Sequence, residues 1–150
     1  MYRGYCRCGW VKFGAEGRPI LTAACHCTDC QRMTAGPYSL SALYPEDRFA
    51  LLEGETVVGE CNSAGEHHFC RKCFSWIFTK PGGLDGMINI RTPLLERAVQ
   101  FPPFAEFFLN DGLPGLSSGA PKTYASAPPV QEFLELADGY ADWAGAAALQ

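Results

Sequence analysis

The placement of the cysteines constrains this chain more than any other feature. Seven of its eight cysteines fall into three tight clusters, Cys6-Arg7-Cys8, Cys25-His26-Cys27-Thr28-Asp29-Cys30 and Cys70-Arg71-Lys72-Cys73. This is the spacing of metal-binding thiolates rather than of a disulfide scaffold. Cysteines one or three positions apart on a tight turn can aim their sulfurs at one point, whereas a Cys-x-Cys pair is too close and too strained to bridge to itself. Zinc is the natural occupant.

At 150 residues, 47% of them hydrophobic and 13% aromatic, the chain has the apolar content for one domain with its own core. No apolar run approaches the roughly 20 residues that cross a bilayer, and the first cysteine cluster begins at position 6, which leaves no room for a signal segment. A cytoplasmic location is therefore expected. Thiols stay reduced in that compartment, which again favours metal-bound or catalytic cysteines over disulfides. Twelve basic residues against sixteen acidic ones, a net charge of -4, argue against a general nucleic-acid binder, since phosphate binding draws on a surplus of Lys and Arg.

The first ninety residues read as short β-strands separated by turn signals: Tyr2–Cys6, Trp10–Phe13, Ile20–Cys25, Tyr38–Leu43, Val57–Cys61, His67–Cys70, Phe74–Thr79 and Met87–Ile90. Gly14–Arg18 reads as a hairpin loop and Pro81-Gly82-Gly83 as a break. Thr28–Thr34 differs, because Thr28 and Asp29 are N-cap types and Gly36-Pro37 closes the stretch; this predicts a short helical turn that carries Cys30 and points its N-terminus at Cys25 and Cys27. Pro93–Pro129 holds seven prolines and is read as an extended wrapping segment that lays Phe101, Phe104, Phe107 and Phe108 against the body. Beyond it, Val130, Phe133, Leu134, Ala137, Tyr140, Ala144 and Ala147 recur at helical spacing, which predicts an amphipathic C-terminal helix.

Four thiolates supplied as two separated pairs are the usual set for a closed, tetrahedral structural zinc. Cys6, Cys8, Cys70 and Cys73 fit that set and would staple the N-terminal strand to a hairpin more than sixty residues later. The central cluster offers three neighbouring cysteines, Cys25, Cys27 and Cys30. Three protein ligands with one position left over are the signature of a catalytic zinc; an empty cluster and a redox-sensitive thiol group are the alternatives.

The stretches Gly4-Tyr5-Cys6-Arg7-Cys8-Gly9 and Cys25-His26-Cys27-Thr28-Asp29-Cys30-Gln31-Arg32, and Ser63-Ala64-Gly65 followed by Phe69-Cys70-Arg71-Lys72-Cys73, resemble the glutathione-dependent formaldehyde-activating enzyme family, which includes the centromere protein V proteins. The resemblance covers roughly positions 3 to 110. It implies a mainly β fold, a small β-tent of stacked antiparallel sheets stapled by zinc; together with the helical spacing read above, this gives a formaldehyde-activating-type domain over 1–127 that includes the wrapping segment, and a C-terminal helix over 128–150. It also implies a structural Zn(2+) on the first and last clusters, a second on the central one, and a carbon-sulfur lyase that reversibly joins glutathione to formaldehyde as S-hydroxymethylglutathione. The partners so implied are a small thiol such as glutathione and an aldehyde, with no membrane. The residue after the last Cys-x-x-Cys pair is commonly Gly in that family and is Phe74 here.

Three cysteine thiolates give the central site a net negative charge, so basic neighbours must offset it. Arg32 is the best placed in sequence, since an Arg fork suits the carboxylates of glutathione; Arg71 and Lys72 are further candidates. Cys61 has no cysteine neighbour and reads as a small buried hydrophobe, with a fourth ligand to the central site as its alternative. His26, between two ligands, is expected to turn its ring away from their metal towards a supporting or surface role. His67 and His68 are read as solvent-facing or turn-anchoring rather than metal-binding, and Asp85 and Asp111 as turn residues. A rival to the enzyme reading is a non-enzymatic zinc-stabilised β module that binds a protein partner, which exposed aromatic residues in Pro93–Pro129 would favour.

Overall fold

The computed structural model describes residues 1–59 and 65–147. Cys61 and the Ser63-Ala64 part of the third motif lie outside them. The elements are β1 (Tyr2–Tyr5), β2 (Lys12–Ala15), β3 (Leu21–Cys25), α1 (Thr28–Thr34), β4 (Ser39–Pro45), β5 (Phe49–Glu53), β6 (Thr56–Gly59), β7 (Gly65–Cys70), β8 (Trp76–Pro81), β9 (Met87–Arg91), β10 (Ala105–Phe107), β11 (Lys122–Thr123) and α2 (Val130–Ala147). The chain is mainly β and divides into two compact units, each built from two stretches: Met1–Pro19 with Ser41–Phe101, and Ile20–Leu40 with Pro102–Gln150.

In the first unit, β1, β2 and β5 form an antiparallel sheet in which Gly4 stands opposite Phe13 and Phe13 opposite Leu51. The Gly14–Arg18 stretch does not close the hairpin expected of it: β2 runs on to Ala15 and pairs with β1 and β5. The remaining strands run β4, β9, β8, β7, β6, each antiparallel to the next. Alternation puts one face of these strands inward. Ala42 lies opposite Ile90, Tyr44 opposite Ile88, and Phe78 opposite Ile90, and all are buried in one cluster with Phe13, Ile77 and Cys70. Full burial of an Ile or Phe side chain is worth about 1.5–3 kcal/mol, so this face carries much of the unit's stability. The Tyr44 hydroxyl donates to the Gly17 carbonyl at 3.4 Å, which keeps its polar tip paired.

In the second unit the antiparallel pattern gives way. β10 runs parallel to β3, with Ala105 opposite Ala23 and Phe107 opposite Cys25, and β11 adds parallel to β10. Parallel neighbours need a long crossover, and here about half of the chain separates β3 from β10. Thr22 sets the register: its buried hydroxyl donates to the Pro102 carbonyl at 2.7 Å, while the Phe104 N–H donates to the Thr22 carbonyl at 3.0 Å. The proline-rich segment is thus less extended than its composition suggests, holding two short strands and several 3-10 turns.

The C-terminal helix forms as its spacing predicts, with one correction to its inward face. Leu136 and Tyr140 are buried while Leu134 is exposed, so the face runs through 133, 136, 137, 140, 143 and 144, a regular i, i+3, i+4 series. Phe104 anchors it, with ring centroids 5.7 Å from Tyr140 and 5.1 Å from Trp143. Gly139 fits this contact, since a side chain there would begin 3.7 Å from the Phe104 ring.

Candidate metal centres

Two groups of thiols converge, one in each unit. In the first unit, Cys6 follows β1 into a tight turn in which the Gly9 N–H donates to the Cys6 carbonyl at 2.8 Å and the Val11 N–H to the Cys6 sulfur at 3.3 Å. Cys70 ends β7 and makes a matching turn: the Phe74 N–H donates to its carbonyl at 2.9 Å, and the Lys72 and Cys73 N–H groups point at its sulfur from 3.4 and 3.5 Å. At Cys6, burial pushes the thiol up, but the Val11 N–H and the neighbouring thiols outweigh it and lower it.

The Cys6 and Cys8 sulfurs are 3.4 Å apart and those of Cys8 and Cys70 3.9 Å; with Cys73, all four lie within 4.8 Å of one another. A disulfide would need about 2.05 Å, and all four are free thiols. A zinc ion with four Zn–S bonds of about 2.3 Å sets sulfur-to-sulfur edges of about 3.8 Å, so these donors fit that ion in number, chemistry and spacing. Burial pushes the Cys73 thiol up, but the Ser75 hydroxyl at 3.2 Å and nearby N–H groups outweigh it and hold it down to about 6. Two side contacts tie the turns together: Lys72 sits 4.3 Å over the Trp10 ring, and the Arg7 N–H donates to the Ser75 hydroxyl at 3.2 Å.

In the second unit, Cys25 ends β3, Cys27 caps α1, and Cys30 lies in its first turn. The cap differs from expectation. Instead of Thr28 or Asp29, the Cys27 sulfur accepts from the Cys30 N–H at 3.4 Å, because the helix starts one residue earlier and a thiolate serves as cap acceptor. Ala35, in the left-handed conformation, ends the helix. The three sulfurs lie within 4.8 Å of one another, each partly exposed, and among the described residues no fourth His, Cys, Asp or Glu joins them. Interaction with the neighbouring Cys25 and Cys30 thiols lowers Cys27, while interaction with Cys27 and Cys30 raises Cys25. The Ser39 hydroxyl adds a bond to the Cys30 sulfur at 3.2 Å. Three converging sulfurs, partly open to solvent, fit a metal with one position to spare.

Arg32 is exposed, 3.8 Å from Asp29, and lines an open cleft of about 430 Å³ with Thr28, Gln31, Gly36, Pro37 and Leu113. Arg71 is instead paired with Glu55 at 2.9 Å, and Lys72 with Trp10, both at the four-sulfur centre. His67 and His68 are not solvent-facing as expected. His67 is buried, its Nδ1 2.9 Å from the Thr79 hydroxyl, and His68 stacks on Phe78 at 4.2 Å with its Nδ1 3.2 Å from the Thr56 hydroxyl; they stand opposite Thr79 and Phe78 on alternate faces of β7, and both faces are covered. Phe101 and Phe104 are buried, while Phe107 and Phe108 are half-buried.

His26 is fully buried and sits 3.0 Å from the Glu106 carboxylate through Nε2. Its ring turns away from the thiols, and its surroundings exclude the surface role. Glu106 carries no sequence signal at all, since its only neighbours of note in the chain are aromatic. It accepts from the Ser118 N–H and, through both oxygens, from the Ser117 hydroxyl at 3.1 and 3.2 Å. Burial pushes its carboxyl up, but these bonds and that from His26 more than offset it and hold it below the usual range.

A mainly β chain with one group of four thiols, Cys6 and Cys70 buried and Cys8 exposed, and a separate group of three partly exposed ones belongs to the class of small domains whose clustered thiols could each hold a metal ion. Within that class, the profile of the glutathione-dependent formaldehyde-activating enzyme family matches residues 1–111. The chain belongs to this family. The crystal structure of a Rhodobacter sphaeroides protein is similar to it with a TM-score of 0.53 and 19% identity, over 63% of this chain and 88% of that one, a likeness of fold. No functionally curated protein matches it.

Proposed function

We propose that the chain is a zinc-dependent carbon-sulfur lyase of the formaldehyde-activating type, which reversibly forms or breaks an S-hydroxymethyl adduct of glutathione or a related thiol. The observation that carries this reading is the open set of three converging thiols in a member of that family. Cys6, Cys8, Cys70 and Cys73 would hold a structural ion, and Cys25, Cys27 and Cys30 a second one. A zinc ion at the second site would supply a Lewis acid that keeps a substrate thiol ionised near neutral pH.

The chain's own groups have three tasks there. The Ser39 hydroxyl and the Cys30 N–H donate to the ligand sulfurs and so temper the negative charge of three thiolates. Partial exposure of all three sulfurs leaves room for a substrate to reach them. Arg32, exposed beside the cleft along α1, would take a carboxylate of the thiol substrate through its planar fork. In the forward direction the substrate sulfur attacks the carbonyl carbon, the π electron pair moves to oxygen, and that oxygen takes a proton to give the hydroxymethyl thioether; the reverse releases aldehyde and thiol.

No helix among the described residues is long and apolar enough to cross a membrane, and the excess of acidic residues supports a small-molecule substrate in the cytoplasm over nucleic acid. The rival reading, a non-enzymatic module for a protein partner, asks for exposed aromatics in the proline-rich segment, and the burial of Phe101 and Phe104 weighs against it. Elemental analysis of protein purified without chelator, with and without glutathione, tests the proposal together with NMR detection of the hydroxymethyl adduct. Two zinc ions per chain and adduct formation above the uncatalysed rate are expected; one ion under every condition with no rate enhancement would overturn it.

A further inference from the structure

We infer that His26 and Glu106 are a positioning pair that sets the direction of the flanking thiols, and that the 117–118 segment closes this clamp on the second centre. The inference rests on the reading that Cys25, Cys27 and Cys30 hold an ion.

Residue 26 is fixed on every side. Its N–H donates to the Phe107 carbonyl at 2.9 Å, its carbonyl accepts from the Gln31 amide at 2.6 Å, and its ring lies 4.9 Å from that of Tyr38. The same Gln31 amide donates to the Asp111 carbonyl at 2.8 Å, so one side chain ties α1 to residue 26 and to the turn at residue 111. Since neighbouring side chains in an extended segment point to opposite sides, a residue 26 anchored inward forces Cys25 and Cys27 outward together. That is the condition for their sulfurs to meet with Cys30.

The ring's rotation depends on Glu106. Among the described residues His26 Nδ1 has no hydrogen-bond partner, and the bare face of Gly112 lies against it, where a side chain would begin 3.5 Å away. Nε2 therefore provides the ring's hydrogen bond, and it donates to the carboxylate. Glu106 is equally committed: β10 places it beside β3, and Ser117 and Ser118 fill its remaining acceptor positions. Groups that orient a metal site without touching the metal commonly carry about 10–100-fold of its affinity.

The test compares ion affinity at the two centres by chelator competition, with the four-thiol centre as internal control, and records the cobalt(II) spectrum of the three-thiol centre. Glu106→Ala should weaken the second ion by about 10–100-fold and shift its cobalt bands while leaving the first ion untouched. Glu106→Gln, which retains an acceptor for Nε2, should recover most of the affinity. Ser117→Ala, at an exposed position, should give a smaller loss in the same direction without threatening the fold. Wild-type affinity and spectrum in Glu106→Ala, or equal losses at both centres, would overturn the inference while leaving the proposed function standing. A wild-type chain that never takes a second ion would overturn both.

Discussion

Gly9 and Phe74 hold the same left-handed backbone conformation, with φ of 75° and 57°, each directly after the second cysteine of its pair. Glycine adopts this conformation freely, whereas for other residues it costs about 1–2 kcal/mol. Phe74 is 70% exposed, so its ring returns little burial energy against that strain. Phe74→Gly should raise stability by up to about 1 kcal/mol after the extra freedom of glycine in the unfolded chain is set against it, a rise in Tm of about 2–4 °C. Phe74→Val should lower it. A lower Tm for the glycine variant would contradict the strain argument.

The two thiol centres should respond differently to loss of one ligand. Cys73→Ser removes a ligand from the centre that joins two distant turns of the first unit, and loss of a structural metal is among the few changes that cost more than about 4 kcal/mol. Cys30→Ser should instead release one zinc ion and abolish adduct formation with the fold retained. Circular dichroism melts with metal analysis check both; retained turnover in Cys30→Ser would remove the catalytic assignment.

Gly4 is required by close packing rather than by backbone angle. A methyl group at this position would lie 2.8 Å from the Leu94 carbonyl oxygen and against the Phe13 ring. Gly4→Ala must displace one of them, and overpacking of this kind costs about 1–3 kcal/mol. Denaturant unfolding should show that loss, and an unchanged midpoint would mean the strand can shift freely.

The Thr79 hydroxyl accepts from Trp76 Nε1 at 3.1 Å and from Arg91 Nη2 at 3.2 Å, which occupies both its lone pairs. Its own proton must then go to His67 Nδ1 at 2.9 Å, so this nitrogen is an acceptor and the ring proton sits on Nε2. Thr79→Val keeps the shape and deletes the shared acceptor, with a loss of about 1–3 kcal/mol. In the NMR spectrum the Trp76 indole proton should move upfield as its hydrogen bond disappears.

Glu106 gives a pH signature. Its folded carboxyl lies below the 4.5 of a free glutamate, so the unfolded chain binds the proton more readily and stability rises with pH across that window. The contribution is fully present above about pH 4.5 and is lost as pH falls through the folded value. The stability difference between wild type and Glu106→Gln should therefore hold from pH 7 to about 4.5 and narrow below it. A difference that is flat through acid would mean the carboxylate is not held ionised by the fold.

The thiol groups were legible in the sequence because their members come in pairs and triplets whose spacing alone limits where sulfurs can point. Most antiparallel strands were legible too, since alternation and turn residues are local signals. What escaped was long-range. Nothing around residue 106 announces that a short parallel strand will return to β3, and the partner of His26 lies 80 residues away. Gly14–Arg18 misled for a related reason: it has the composition of a hairpin loop, yet β2 has its partners on both sides already. Leu134 and Leu136 are equally apolar, and only contact with Phe104 decides the inward face of α2.

The interleaving of the two units fixes an order of events during synthesis. The first unit is complete once residue 101 has left the ribosome, but the second, begun at residue 20, cannot close before residue 102 and beyond arrive. At about 5–20 residues per second, the 80 residues between His26 and Glu106 take about 4–16 s to make. Throughout that interval Cys25, Cys27 and Cys30 are already present on the growing chain without the strand that will flank them. The newborn protein thus carries three clustered thiols before their flanking strand exists, and the length of that interval is set by the pace of translation.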